Sequence, residues 1–286
     1  MTTPDRGRQP PAGSRNPNPE TNIHRAAASG YQRQSQAYRR GRPAYHPALA
    51  ERIAARYGPD PDRRTTLVEL GAGTGIFTAQ MAGNGLAVTA VEPVAAMRDA
   101  IISSLPAELR PLVSVVGGTA ERTALADDSV HTVVASQSFH WFDHRPALDE
   151  IARVLTIDGH LVTVWNVRDN RVDWVRACTD VVDRYAGDTP RHRTMGWRHA
   201  IEADARFALV EDQRVDNPAP TTPAGVIDRT LSTSFIGALD EAEQAEVVAE
   251  IRAITEPLGT EFDYPYTSEL QAWRYLGDGR SGQPER

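Results

Sequence analysis

Leu67-Val68-Glu69-Leu70-Gly71-Ala72-Gly73-Thr74-Gly75 is an apolar run that breaks into three alternating glycines, and an amphipathic stretch, Ile76 to Ala82, follows at once. The pattern reads as strand, tight loop, helix. Glycine has no Cβ to clash at positive φ, so it fits where a backbone turns sharply and lets a ligand touch it. The amides of the following helix start would face that ligand. The next apolar run, Leu86 to Val91, closes on Glu92, 21 residues after Gly71. A carboxylate at the carboxyl end of a second strand can accept hydrogen bonds from both hydroxyls of a ribose. The chain is read as binding a nucleoside-containing cofactor, with Glu69, Gly71, Ala72, Gly73, Glu92 and Pro93 as candidate contacts.

The spacing narrows the choice of cofactor. A dinucleotide fingerprint has the form G-x-G-x-x-G, its third glycine packing helix against strand. Here Ile76 holds that place, and the lysine of a Walker-type phosphate loop is also absent. Gly71-x-Gly73-x-Gly75 resembles motif I of the class I S-adenosylmethionine-dependent methyltransferases, whose cofactor carries ribose and adenine but no phosphate.

The resemblance runs from about Tyr38 to Trp165. Gly118-Thr119-Ala120-Glu121 follows the Leu112–Val116 run, and in that family the corresponding loop lies against the adenine. Val130–Ser136 reads as the fourth strand and ends in Gln137-Ser138-Phe139-His140-Trp141-Phe142. This is similar to the His-Trp-Phe loop of the group that includes trans-aconitate and juvenile-hormone-acid methyltransferases. Glu150-Ile151-Ala152-Arg153-Val154-Leu155 with Asp158-Gly159 resembles the family's E-x-x-R-V-L-x-x-G-G helix and turn, Asp158 standing at the first glycine of the pair. Tyr38 to Pro47 resembles the Y-x-x-x-R-P-x-Y-P entry motif, interrupted at His46. The resemblance implies that this segment covers the cofactor, so that Tyr38 and Arg42 line the site together with Thr119, Ala120, Glu121, Gln137 and Trp141. An arginine can clamp a carboxylate in a two-pronged way; Arg42 reads equally as a solvated arginine at a turn.

Between Leu67 and Trp165 short apolar runs alternate with amphipathic segments, an order that argues for a parallel sheet covered on both faces. The expected fold is α/β, a doubly wound, mostly parallel seven-stranded Rossmann-like sheet with helical lid elements. Further on, Arg171 to Ala186 reads as a helix, Gly187 to Ala200 as a polar loop, and Phe207–Val215 as the sixth strand. Thr222–Leu231 and Glu241–Ile254 read as helices, and Glu261–Trp273 as a final strand that pairs antiparallel. Residues 1–30, rich in Pro, Arg, Asn and Gly, read as a disordered tail. Residues 31–286 form the expected domain, with a cap at 31–57 and substrate-recognition insertions at about 166–258.

The composition is that of an ordinary globular protein, 40% hydrophobic and 24% charged in 286 residues. A net charge of −7 argues against nucleic acid and anionic membrane as partners. No apolar run approaches the roughly 18 residues of a spanning helix, and no signal-peptide h-region is present. A single cysteine, Cys178, suits a cytoplasmic protein. The expected function is transfer of the methyl of S-adenosyl-L-methionine to a small-molecule acceptor, an oxygen of carboxylate or hydroxyl type, by in-line displacement. N- or C-methylation, a nicotinamide-dependent oxidoreductase and a non-catalytic binding module stay open. Methyl transfer from a sulfonium asks mainly for positioning. A hydroxyl acceptor also needs a base, for which His140 is the candidate, against a role as a positioning wall. No metal is expected: His140, Asp143 and His144 could suggest one, but Asp143 also suits a helix N-cap.

Overall fold

The computed structural model describes residues 42–58 and 66–277. The expected tail, residues 1–30, and the candidate Tyr38 lie outside the described residues. The decisive run forms β1 (Thr66–Leu70), of which the last four residues are buried. A strand covered on both faces belongs in the middle of a parallel sheet. It pairs in parallel with β2 (Val88–Val91) on one side and β4 (Val130–Ser136) on the other. β3 (Val113–Val116) extends the sheet beyond β2, and β5 (Leu155–Arg168) beyond β4. Past β5 the direction reverses. β9 (Tyr266–Tyr275) runs antiparallel to both β5 and β6 (Phe207–Asp216), giving the order β3-β2-β1-β4-β5-β9-β6. This is the expected mostly parallel, seven-stranded sheet.

Each face is covered. Helices α1 (Pro47–Arg56) and α2 (Ile76–Gly83) bury Leu49, Ile53, Phe77 and Met81 against Leu67, Val134, Val162 and Leu270. On the opposite face α4 (His144–Val154) and α6 (Gly196–Glu202) pack Leu148, Ile151, Trp197 and Ile201 against Val68, Val133, Trp165 and Trp273. The alternation of these strand residues is the period-2 rule of a pleated strand. α3 (Ala95–Ser104) packs Ile101 against Ala72, Ala90 and Leu105.

After β5 the chain leaves the sheet and builds α5 (Asp173–Asp183), then α7 (Pro223–Leu231), α8 (Ser234–Gly237) and α9 (Glu241–Thr255). These helices share an apolar cluster of their own, with Val182, Val226, Ile236 and Ile251 packed around Tyr264 and Tyr266. A two-stranded ribbon, β7 (Ala219–Thr221) with β8 (Phe262–Tyr264), ties the cluster to the root of β9.

Three local readings change. Gly187 to Ala200 is not a polar loop: it contains the start of α6, and Trp197, 1% exposed, belongs to the main core. Glu261–Trp273 divides at Pro265 into β8 and β9. Asp143 occupies the N-cap of α4, but its side chain makes no capping bond. His46, which breaks the expected Tyr-Pro pair, has a purpose: its Nδ1 accepts the Ala48 N–H at 3.2 Å and caps α1, with Pro47 at the first helical position.

Candidate functional site

In this strand order the connections from β1 and β4 leave in opposite directions, which opens a crevice beyond their carboxyl ends. The cleft found there is walled by Gly71, Ala72 and Gly73 after β1, Glu92 and Pro93 after β2, Thr119, Ala120 and Glu121 after β3, and Gln137 and Trp141 after β4. Arg42 closes it from the entry segment. Ile76, Phe77, Val94, Met97 and Phe142 supply apolar wall between these groups.

The glycine loop is shaped by two different needs. Gly71, at φ 66°, donates its N–H to Val91 O at 2.9 Å, and a Cβ there would meet Ser138 Cβ at 2.8 Å. Its smallness lets the β1 loop and the β4 loop touch. Gly73, at φ 58°, has nothing within 4 Å of where a Cβ would stand. That space belongs to the cleft. Its N–H points the other way and donates to Glu92 Oε2 at 2.9 Å, while Val94 N donates to Oε1 at 2.9 Å. Burial pushes the Glu92 carboxyl pKa up, and the two amides pull it back. Each carboxylate oxygen can accept more than one hydrogen bond, so both retain capacity toward the cleft.

Glu150 and Arg153 explain their own spacing. From α4, Glu150 Oε1 accepts from Thr123 N at 2.7 Å and Thr123 Oγ1 at 2.6 Å, and Arg153 Nη2 donates to Leu125 O at 2.9 Å. The pair holds the loop that carries Thr119 to Glu121. Glu121 Oε1 in turn accepts the Asp143 N–H at 2.9 Å.

Glu69 departs from the expectation that it touches the cofactor. It is 0% exposed and absent from the cleft wall, with Oε2 accepting from Thr78 Oγ1 and Oε1 from Ser136 Oγ. Side chains alternate across a strand, and Glu69 falls on the face that α2 covers. Burial pushes its pKa up to about 7. It braces the loop from behind.

His140 lies in a different compartment. A second chamber opens beside the first, and the two share Arg42, Gln137, Trp141, Asn166 and Arg229 as a common wall. His140 and His192 line only the second. The His140 ring centroid is 5.0 Å from that of Trp141 and 5.5 Å from that of Trp165. Burial first, then His192 and Arg42, lower its pKa to about 3. It is a neutral imidazole, and a weak base is a poor proton acceptor at neutral pH. These surroundings weigh against the base role.

Sequence reasoning missed Asn166, one residue beyond the end of the family-like stretch. Its Nδ2 donates to Ala44 O at 3.1 Å and Pro43 O at 3.3 Å, and its Oδ1 accepts from Ser268 Oγ at 2.5 Å and Asn217 Nδ2 at 3.2 Å. One side chain thus ties the entry segment to β5, β9 and the turn after β6. Its carbonyl oxygen accepts from Gln137 Nε2 at 3.0 Å, which fixes the common wall. Gln137 itself sits at φ 52°, a conformation non-glycine residues rarely adopt. Arg229 on α7 was also missed, since nothing in its local pattern distinguishes it from a surface arginine.

Comparison with known proteins agrees with this geometry. Residues 68–163 match the family model described as a methyltransferase domain. An uncharacterised methyltransferase of Mycobacterium tuberculosis strain H37Rv is 37% identical over 199 residues, 70% of this chain and 74% of that protein. An uncharacterised methyltransferase-like protein of Schizosaccharomyces pombe is 30% identical over 222 residues, 77% and 84% of the respective chains. Among solved structures, a proposed type II methyltransferase of Anaeromyxobacter dehalogenans superposes with a TM-score of 0.59 at 22% identity, covering 82% of this chain and 99% of its own, a likeness of fold. A glycine loop answered by a buried carboxylate, on this sheet and in this company, makes the chain a member of the methyltransferase family, a class I enzyme with S-adenosyl-L-methionine as its cofactor.

Proposed function

We propose that the enzyme transfers the methyl of S-adenosylmethionine to an oxygen of a small acceptor, and that this oxygen is a carboxylate. The carrying observation is the wall common to both chambers. Gln137, Trp141, Asn166, Arg42 and Arg229 border the cofactor cleft and the second chamber alike, so a methyl held in the first faces an acceptor held in the second. Among the described residues no group on that wall takes a proton at neutral pH: it has amides, an indole and guanidiniums, and His140 beyond it is held neutral with its pKa near 3. An acceptor that needs deprotonation finds no agent there among the described residues. A carboxylate needs none.

The residues present fit the cofactor. Glu92 is placed for the ribose hydroxyls, the open space at Gly73 admits a ligand against the backbone, and Val94, Met97, Ala120 and Phe142 make an apolar slot of the kind an adenine fills. Glu121 and Thr119 edge that slot. Arg42 and Gln137 stand at the sulfonium end, where an arginine suits a methionine carboxylate. When bound, S-adenosylmethionine supplies an electrophilic methyl, which the acceptor oxygen takes while the electron pair of the breaking carbon–sulfur bond stays on sulfur. The protein holds acceptor and methyl in line and excludes water, effects that can supply about 7–11 kcal/mol when geometry is favourable.

Calorimetry of the purified chain with S-adenosylmethionine, S-adenosylhomocysteine and NADH tests the cofactor assignment: the first two are expected to bind and NADH is not. Transfer of labelled methyl to a panel of carboxylic acids, phenols and amines tests the acceptor. Label released as methanol by mild alkali marks a methyl ester. Label that resists alkali marks an ether, amine or carbon product and removes the carboxylate reading.

A further inference from the structure

Five arginines line the second chamber, and no aspartate or glutamate does so among the described residues. Asp183 answers two of them, pairing with Arg191 at 2.5 Å and with Arg193. Arg168 shares a hydrogen bond with Tyr264 and lies within reach of the Asp183 charge, though not in an ion pair with it; Arg229 has no carboxylate partner among the described residues. Arg229 is 8% exposed; its Nε is buried without a hydrogen-bond partner, and its Nη1 reaches Thr233 Oγ1 only at 3.4 Å. Burial, then the neighbouring Arg42, lower its pKa to about 10, so it is charged at neutral pH. The charge of Arg168 adds to that repulsion.

A buried guanidinium without a counter-charge destabilises the fold that holds it. Among the described residues only the Thr233 hydroxyl hydrogen-bonds this side chain, although Arg229 is buried on the same helix as Val226. Such an arrangement makes sense when a ligand brings the missing charge. Guanidinium forks match carboxylate and phosphate oxygens in two-pronged geometry, and gain strength in a site shielded from water.

We propose that Arg168 and Arg229 form an anion anchor in the second chamber, holding a non-reacting carboxylate or phosphate group of the acceptor while the reacting oxygen lies at the Gln137–Asn166 wall. The acceptor is then a molecule with at least two anionic groups. Arg229 borders both chambers and Arg168 only the second, so the anchor extends from the wall into the chamber and away from the cofactor. This inference rests on the methyl-transfer reading above for the site of reaction; the anchor itself does not.

The test uses the full chain, ligand-free and loaded with S-adenosylhomocysteine, titrated with glutarate and with inorganic phosphate at constant ionic strength. The wild type binds at least one of the two saturably. Arg168→Gln and Arg229→Gln each raise that Kd by about tenfold or more, the loss expected for a charge-assisted pair. In Arg168→Gln the Kd for S-adenosylhomocysteine stays within about twofold. Tighter glutarate identifies a carboxylate anchor, and tighter phosphate a phosphate anchor. Arg229→Met raises the melting temperature of the ligand-free protein and removes its anion-dependent rise, because a buried charge is replaced by an apolar side chain of similar length. Equal anion affinity in wild type and both glutamine variants overturns the proposal, as does a fall in the ligand-free melting temperature of Arg229→Met. Anion binding without S-adenosylhomocysteine binding overturns the methyl-transfer reading and leaves the anchor standing.

Discussion

Glu92 and Gly73 meet at one hydrogen bond of 2.9 Å, yet they are needed for different reasons. Glu92→Ala is expected to weaken S-adenosylmethionine binding by about 1–3 kcal/mol, the value of hydrogen bonds to a charged acceptor; calorimetry reads it directly. Gly73→Val is expected to abolish cofactor binding while shifting thermal stability little beyond the roughly 1–2 kcal/mol of a side chain at positive φ, since its Cβ meets no protein atom. Comparable melting curves with no heat of binding would bear this out. Glu69 gives a third, pH-dependent test. Its pKa rises from 4.5 to about 7 on folding, mainly through burial. Below pH 4.5 both folded and unfolded chains hold the proton. As pH rises toward 7 the unfolded chain releases it first, so the contribution of this group to stability falls across that window and stays lower above it. The loss is on the order of 3 kcal/mol. Glu69→Gln keeps two polar atoms toward Thr78 and Ser136 and is expected to flatten this component of the pH–stability profile, measured by urea unfolding at pH 5 and pH 8.

At the scale of elements, the spacing Glu150-x-x-Arg153 works as a clamp on the loop after β3, bridging α4 to Thr123 and Leu125. Arg153→Met is expected to raise KM for S-adenosylmethionine several-fold with kcat little changed, because the loop loosens without any reacting group being touched. A matched fall in kcat would place Arg153 in a different role. Element identity was legible in the sequence wherever a period was strong. Val130–Ser136 is recovered to the residue, and Glu241–Ile254 is recovered to within one, helped by the Asp240/Glu243 capping box. It was not legible at Gly187–Ala200, where a helix of seven residues buries Trp197 and Ile201 between polar neighbours too short to display a period. The division of the last strand at Pro265 was likewise hidden, since β8 takes a partner, β7, far off in sequence.

For the whole molecule, the stitch at Asn166 matters most. It joins the entry segment, β5, β9 and the turn after β6, whose closest pairing lies 51 residues away in sequence and whose farthest lies 123. Asn166→Ala leaves the carbonyls of Pro43 and Ala44 and the Ser268 hydroxyl short of a partner, at a cost of about 1–3 kcal/mol in stability. It also frees the segment that bears Arg42, so cofactor affinity falls with it. Asn166→Asp, which restores an acceptor but no donor, is expected to recover less than half of the loss, as read by chemical unfolding and calorimetry in parallel.

The sequence alone determined the cofactor and the sheet. Gly71, Gly73, Gly75 and Glu92 lie within one strand–loop–helix–strand unit, so a local pattern carries both the geometry and its chemistry. The tertiary structure alone decided what faces the second chamber. Arg168 ends β5, Arg229 sits on α7 and Arg42 precedes the first described helix. Arg168 and Arg229 in isolation read as ordinary surface cations, and Arg42 reads equally as a solvated arginine or as a cofactor contact. Their meeting at one chamber depends on tertiary packing, and burial turns Arg229 from a solvated charge into a demand for an anion. The same holds for His140, whose position in the chain suggested a base and whose surroundings, apolar rings and neighbouring guanidiniums, keep it neutral.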